Sequence, residues 1–288
     1  VTTALGAGAV AIREMSLPDV PAAFRLSRLS GWNQTEADWR FLLERDRGRF
    51  VAAVQDGAVI GTGGASCYGD RLAWVCMILV DPEARGRGIG SAIVAAVLDR
   101  LAGVETVGLD ATPSGRGVYE RLGFAAASGL VRMGGVGAAT TARDVATRPL
   151  EARDLDAVLG LDREAVGADR APVIDWARAR SPALAWCATD AGEVTGYCLG
   201  REGDRAVHLG PVVARSGASA RALVARAAGS VAGRELMLDV PTSPTEWPAF
   251  LRGLGLHEQR PFTRMYRAGA PPPGRPELTF AAFGPELG

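Results

Sequence analysis

Val80-Asp81-Pro82-Glu83-Ala84-Arg85-Gly86-Arg87-Gly88-Ile89-Gly90 runs directly into Ser91-Ala92-Ile93-Val94-Ala95-Ala96-Val97-Leu98, and Val118-Tyr119-Glu120-Arg121-Leu122-Gly123-Phe124 follows further on. Before this stretch, Ala73–Val80 is almost wholly apolar and reads as a central strand buried on both faces. Gly86, Gly88 and Gly90 let the backbone turn sharply and approach a ligand closely. After them, Ile93, Val94, Val97, Leu98 and Leu101 make one apolar helical face. A strand, a glycine turn and a helix start form a phosphate cradle. The first N–H groups of the helix carry about half a positive charge, and Arg85 and Arg87 can add charge-assisted bonds.

Working outward, the two halves of the chain repeat each other. Phe50–Gly61 reads as strand, Asp56-Gly57 turn, strand; Ala185–Gly196 repeats it 135 positions on. Ile12-Arg13-Glu14-Met15 with Asp19 matches Thr147-Arg148-Pro149-Leu150 with Asp154 at the same offset. Leu122-Gly123-Phe124 with Arg132-Met133 matches Leu254-Gly255-Leu256 with Arg264-Met265 at an offset of 132. Ordered matches at a nearly constant offset indicate tandem copies. The expected division is residues 1–134, a Gly/Ala/Thr-rich linker at 135–147, a second unit at 148–267, and a Pro/Gly-rich tail at 268–288. The apolar end of that tail is expected to pack back on the body. Each unit alternates strands and helices, so the fold class is α/β with a mixed sheet covered by helices.

Composition narrows the function. All 32 basic residues are arginine and balance 32 acidic ones, so nothing favours nucleic acid as a partner. Cys67, Cys76, Cys187 and Cys198 lie in apolar runs without CxxC spacing, which suits reduced thiols and a cytoplasmic setting. With two histidines there is no familiar zinc spacing, and no metal is expected. No stretch is long and apolar enough for a membrane span, and residues 1–12 lack the basic start of a secretion signal.

Val80-x-Pro82-x-x-Arg85-Gly86-x-Gly88-Ile89-Gly90, followed by Tyr119-Glu120-Arg121-Leu122-Gly123-Phe124, resembles the GNAT acyltransferase superfamily. The resemblance covers most of residues 10–134 and extends weakly over 148–267. It implies an acetyl-CoA-dependent N-acetyltransferase with one active site, in the first unit. Ile78, Leu79 and Val80 would hold the pantetheine arm through their backbone. Arg85, Gly86, Arg87, Gly88, Ile89, Gly90 and Ser91 would hold the pyrophosphate. Tyr119 would stand beside the CoA sulfur and, protonated at neutral pH, give a proton to the departing thiolate. A backbone N–H at Leu79–Val80 would receive the oxyanion.

On the acceptor side the resemblance points to Gly31–Trp39, with Trp32 and Asn33 as recognition candidates. Asp110 stands where relatives carry a polar residue; Asp70, Glu36 and Asp38 are further candidates for the general base. The acceptor would be a small-molecule or protein amine, and the assembly a monomer or homodimer. The second unit departs from the pattern. From Gly61 to Leu109 is 48 positions, but from Gly196 to Leu238 only 42, and the loss is best placed in the turn. Leu251 stands where Tyr119 would be, and His208 reads as a strand histidine. The second unit is therefore expected to be degenerate and to bind no second CoA. The alternative to an enzyme is a non-catalytic acyl-CoA-binding sensor or scaffold.

Overall fold

The computed structural model of the chain describes residues 9–137, 145–267 and 271–288. Most of the expected linker, the start of the tail and residues 1–8 lie outside the described residues.

The first half runs β1 (Ala11–Glu14), α1 (Val20–Leu29), α2 (Glu36–Arg45), β2 (Val51–Gln55), β3 (Ala58–Tyr68), β4 (Leu72–Val80), α3 (Ile89–Leu98), β5 (Thr106–Ala111), α4 (Pro113–Arg121) and β6 (Phe124–Val136). The second repeats this order: β7 (Ala146–Pro149), α5 (Leu155–Val166), α6 (Ala171–Arg180), β8 (Trp186–Asp190), β9 (Glu193–Arg201), β10 (Val207–Ala214), α7 (Gly217–Ser230), β11 (Glu235–Pro241), α8 (Glu246–Gly253) and β12 (His257–Arg267). A short β13 (Thr279–Ala281) follows. The repeat extends to single contacts. Arg13 donates two bonds to Asp19 at 2.8 and 2.7 Å, and Arg148 does the same to Asp154 at 2.6 and 2.7 Å.

All the strands join one mixed sheet in the order β1-β2-β3-β4-β5-β12-β6-β11-β10-β9-β8-β7, with β13 on β10. The order reads the same from either edge once the copies are exchanged. Its centre shows that the last strands have crossed over. β12 lies against β5 of the first half, and β6 lies against β11 of the second. The two then pair with each other over most of their length.

The Arg-Met repeat marker explains what locks this exchange. Arg264 on β12 donates to both oxygens of Asp110 on β5, at 2.9 and 2.8 Å. Arg132 on β6 donates to both oxygens of Asp239 on β11, at 2.8 and 2.7 Å. Each half thus supplies the arginine for the other's aspartate, in the bidentate geometry that suits a carboxylate. Burial alone disfavours a charged Asp239, but Arg132 beside it overrides that and holds the carboxyl below its usual range.

Packing fuses the halves further. On one face, Trp39, Phe50 and Trp74 share a core with Val158, Ile174 and Tyr197. Phe41 stacks on Trp176 there, with ring centroids 4.1 Å apart. The other face carries two separate cores, one under α3 and one under α7. At about 1.5–3 kcal/mol for each large apolar side chain removed from water, the shared core strongly opposes separation of the halves.

Candidate active site

The parallel pairing of β4 with β5 stops at Trp74 and Gly108, although β4 runs on to Val80 and β5 to Ala111. Beyond that point the strands part. The cause is a bulge. Thr62 faces Leu79 and Gly64 faces Cys76, so β4 carries one residue more than β3 between the same pairs. Met77 adopts φ +58°, a left-handed conformation rare for a non-glycine residue, and Thr62 Oγ1 donates to its carbonyl at 3.0 Å. Strain of this kind persists where the surrounding fold holds it, often at a functional site.

The glycine turn stands at the mouth of this opening, over residues 81–88. Gly86 and Gly88 have φ of +76° and +78°, and a side chain added at either would meet nothing within 4 Å. The backbone angle, not crowding, calls for glycine there, and the turn presents bare backbone outward. Gly88 is the N-cap of α3 and has no side chain to bond the first helical N–H groups. Ile89 is buried beneath them, while Gly90 and Ser91 are half-buried. Arg85 donates through Nε to Val80 O at 3.1 Å, and Arg87 reaches Gln55 at 3.0 Å. Both arginines are exposed and stay beside the turn.

Deeper in, a small pocket of about 60 Å³ is bordered by Cys76, Met77 and Ile78 of the bulge and by Tyr119 on α4. The N-cap of α4 is Thr112: Pro113 takes the first helical position, and Thr112 Oγ1 accepts from Gly115 N at 3.3 Å. Gly123, with φ +85°, ends that helix. The ring of Tyr119 packs edge-on against Phe124 at 6.0 Å. Among the described residues nothing bonds its hydroxyl. Burial pushes the phenol above its usual range, with Cys76 adding to the effect, so it is protonated at neutral pH.

The acceptor-side candidates divide. Trp32 borders the pocket. Asn33 does not: its amide donates to Ala206 O at 3.0 Å and accepts from the N–H groups of Arg205 and Ala206, pinning the α1–α2 loop to the second half. Asp110 borders the pocket, but both its oxygens are engaged by Arg264. Asp38 closes a capping box at the start of α2, Glu36 is exposed, and Asp70 lies in the turn between β3 and β4, at the far end of the strand. Trp39 is fully buried, its Nε1 donating to Ser27 at 3.0 Å. Burial pushes up the thiols of Cys67, to about 11, and Cys76. Neither has the character of an activated nucleophile.

Four contributors to the pocket, Pro285 among them, come from beyond the first repeat. Phe262 and Arg260 arrive on the crossed-over β12, and Glu286 on the final segment. Glu286 is buried, paired with Arg201, and accepts from Gln34 Nε2 at 2.7 Å. The sequence signal for Arg260 was faint: Pro261 inside a strand marks an irregularity, and β12 does bulge at Gln259.

The second half keeps the frame and loses the opening. β10 pairs with β11 at Val207 and His208 and then carries the same one-residue bulge against β9. Here the final segment fills the gap. β13 bonds β10, pairing Ala281 with Val212, and Ala282 N donates to Asp239 O of β11 at 2.8 Å. A side chain at Gly210 would sit 2.1 Å from Ala282 O. Only Arg215 and Ser216 join β10 to α7, and Ser216 Oγ caps the helix by accepting from Ser219 N at 3.2 Å. The six positions missing from the repeat are this turn. Leu251 is buried on α8. His208 is buried 3.6 Å from Asp239, yet that carboxylate is committed to Arg132, and burial with Arg201 nearby lowers its pKa to about 3. It is a neutral histidine inside the sheet.

Among the described residues no cluster of His, Cys, Asp and Glu is arranged to hold a metal, and no helix is long and apolar enough to cross a membrane. A mixed sheet split by a bulged strand, with a glycine turn at its mouth, is the frame of a GNAT domain. Residues 12–124 match the acetyltransferase (GNAT) family, and residues 158–281 match an acetyltransferase (GNAT) domain. The chain belongs to the GNAT acetyltransferase family and carries two such domains in tandem. It is 24% identical over 257 residues to YitH, an uncharacterized N-acetyltransferase of Bacillus subtilis (strain 168), spanning 88% of this chain and 90% of that one. Its fold is similar to that of a Pyrococcus horikoshii protein classed provisionally as an acetyltransferase (TM-score 0.81, 20% identity, 99% and 98% of the two chains). A tandem GNAT protein from the clavulanic acid biosynthesis pathway, solved without AcCoA, is also similar (TM-score 0.60, 14% identity, 91% and 99%).

Proposed function

We propose that this chain is an acetyl-CoA-dependent N-acetyltransferase with a single active site, in the first half. The observation that carries the reading is the parting of β4 from β5, which runs from the glycine turn down to Tyr119. The backbone of Ile78, Leu79 and Val80 offers a strand edge along which a pantetheine arm can bond. Arg85 to Ser91, with the uncapped start of α3, suits a pyrophosphate, since bare amides and open space above Gly86 and Gly88 admit one closely. Family membership adds weight to an acyl-CoA donor, and the four free thiols to a cytoplasmic setting.

The chemistry is direct transfer. The neutral amine of the acceptor attacks the thioester carbonyl, the C–N bond forms, and the C–S bond breaks. Tyr119, protonated and otherwise unbonded, supplies the proton that the leaving sulfur takes up, and the proton that the attacking nitrogen sheds as the amide forms passes to solvent, from which the phenol is reprotonated. A free N–H on the bulged stretch of β4 stabilises the oxyanion. No covalent enzyme intermediate is required, in keeping with the raised thiol of Cys76. Calorimetric titration with acetyl-CoA tests the reading, and one site per chain is expected. Thiol release over a panel of amines then tests turnover. Failure of the folded chain to bind acetyl-CoA would sink the assignment.

A further inference from the structure

The charged groups bordering the pocket below Tyr119 can be accounted for one by one. Asp110 is held by Arg264, Glu286 by Arg201 and Gln34, and Arg132 by Asp239. Arg260 remains. Among the described residues no carboxylate lies within ion-pair distance of it, and its buried Nε has no hydrogen-bond partner. Its guanidinium stacks on the ring of Phe262, 4.8 Å from the centroid, and Arg132 lies by the same ring at 5.3 Å. Stacking on an aromatic face leaves the planar edge of a guanidinium free, and that edge matches a carboxylate bidentately. A half-buried, uncompensated cation is costly, and an arriving anion relieves the cost. Burial, together with repulsion from Arg132, lowers the pKa of Arg260 to about 10, in keeping with a group short of negative charge.

Resting on the function proposed above, we infer that the acceptor is a small amine bearing a carboxylate, and that Arg260 binds that carboxylate. The cation reaches the first site only because β12 has crossed over. At the repeat offset of 132, Arg260 corresponds to Ser128, which has no charge to offer.

The test uses the whole chain with acetyl-CoA and a panel of amino acids, each beside its amide and its decarboxylated amine. Aminosulfonates and aminophosphonates are included. Carboxylates are expected to exceed their neutral partners in kcat/KM at least tenfold. Arg260→Leu should erase that preference by raising the acceptor KM. It should leave the kcat of neutral amines and the KM of acetyl-CoA within a fewfold of their starting values. Arg260→Lys, which keeps the charge and loses the fork, should restore part of the preference. Calorimetric titration with N-acetyl amino acids and their amides reads the same pocket without turnover, so it separates failure of this inference from failure of the enzymatic reading. Equal use of carboxylate and amide, preference for a phosphonate or sulfonate, or a preference surviving in Arg260→Leu would overturn the proposal.

Discussion

The two clefts of this molecule share one frame and differ in almost everything that handles a ligand. Both bordering strands carry a one-residue bulge, and both halves of the sheet are locked by an Asp–Arg pair whose members come from different halves of the chain. In the first cleft an eight-position turn, residues 81–88, presents bare amides; in the second only two residues remain, and Ser216 caps the helix. β13 lies between β10 and β11, whereas no strand of the described residues lies between β4 and β5 beyond Trp74. Tyr119 and Arg260 face Leu251 and Ser128 at the corresponding positions. The bulge and the ion pairs therefore belong to the architecture, and the turn, the phenol and the free guanidinium, present in the first cleft alone, are the groups to which the proposed chemistry is assigned. That division can be broken experimentally.

The largest effect is expected on stability, from the shared frame. Asp239→Asn leaves Arg132 buried without its partner, a change that typically costs 3–5 kcal/mol. Denaturant unfolding should show this loss, and Arg132→Met combined with Asp239→Leu should recover much of it. If Asp239→Asn unfolds at the same midpoint as the parent chain, the pair is not what holds the exchanged strands.

Next come the features that only the first cleft has. Gly88→Asp puts a negative charge where the pyrophosphate is proposed and forces a side chain onto a left-handed backbone, at a cost of about 1–2 kcal/mol. Affinity for acetyl-CoA should fall at least 100-fold, since several charge-assisted bonds of about 1.5–3 kcal/mol each are at stake. Gly217→Asp in the second half should change nothing. Equal sensitivity at both positions would mean that the second cleft also binds the donor. Tyr119→Phe keeps the ring and removes the proton. Turnover should drop roughly 100-fold or more where chemistry limits the rate, with acetyl-CoA affinity preserved.

A smaller effect concerns pH. His208 is buried and neutral, with a folded pKa of about 3 against an ordinary value near 6.5. The unfolded chain therefore binds a proton that the folded chain refuses. Stability is full above about pH 6.5 and declines below it, by up to about 1.4 kcal/mol per pH unit, until the folded value is reached. Asp239 acts in the same direction at lower pH, because its folded pKa is depressed: its contribution is present above the ordinary carboxylate range and is lost as pH falls through the folded value. His208→Gln should flatten the profile between pH 6.5 and 4.5. An unchanged slope there would assign the acid sensitivity to other groups.

How much of this could be read in advance depends on the range of the interaction. The glycine turn, the short helix of Tyr119 and the missing second turn are local, and local pattern carries them. The strand exchange is not local. Arg132-Met133 and Arg264-Met265 mark the repeat, but β6 and β12 are alike enough that no hydrophobic pattern says which copy's aspartate each arginine meets. Asp110 and Asn33 looked available in sequence because their partners, Arg264 and the Arg205–Ala206 backbone, lie more than 150 positions away. Met77 is hidden in an unbroken apolar run, since a bulge is a property of pairing between strands. Arg260 and Glu286 belong to the first pocket only after the fold has crossed over.

The smallest effect is expected at Cys76, and it sharpens the comparison by its absence. By strand register Cys76 corresponds to Gly210, the point where the final segment presses closest on β10. In the first cleft this position borders the pocket beside Tyr119, so a thiol there invites the reading of a covalent nucleophile. The physical chemistry opposes it. Burial, aided by Asp46, pushes the thiol upward, so almost no thiolate exists at neutral pH. The two histidines are elsewhere, His208 buried in β10 and His257 exposed on β12, and among the described residues no side-chain base hydrogen-bonds the sulfur. Cys76→Ala should therefore leave kcat within about threefold of the parent, equivalent to less than about 0.7 kcal/mol of barrier. Its stability should fall modestly, for the lost packing of a small buried side chain. Mass spectrometry of the chain mixed with acetyl-CoA alone should find no acetyl group on the protein. A burst of acetylated enzyme, or loss of turnover at least 100-fold in Cys76→Ala, would replace direct transfer with a two-step route through the thiol. Tyr119 would then serve the first of two transfers rather than the only one.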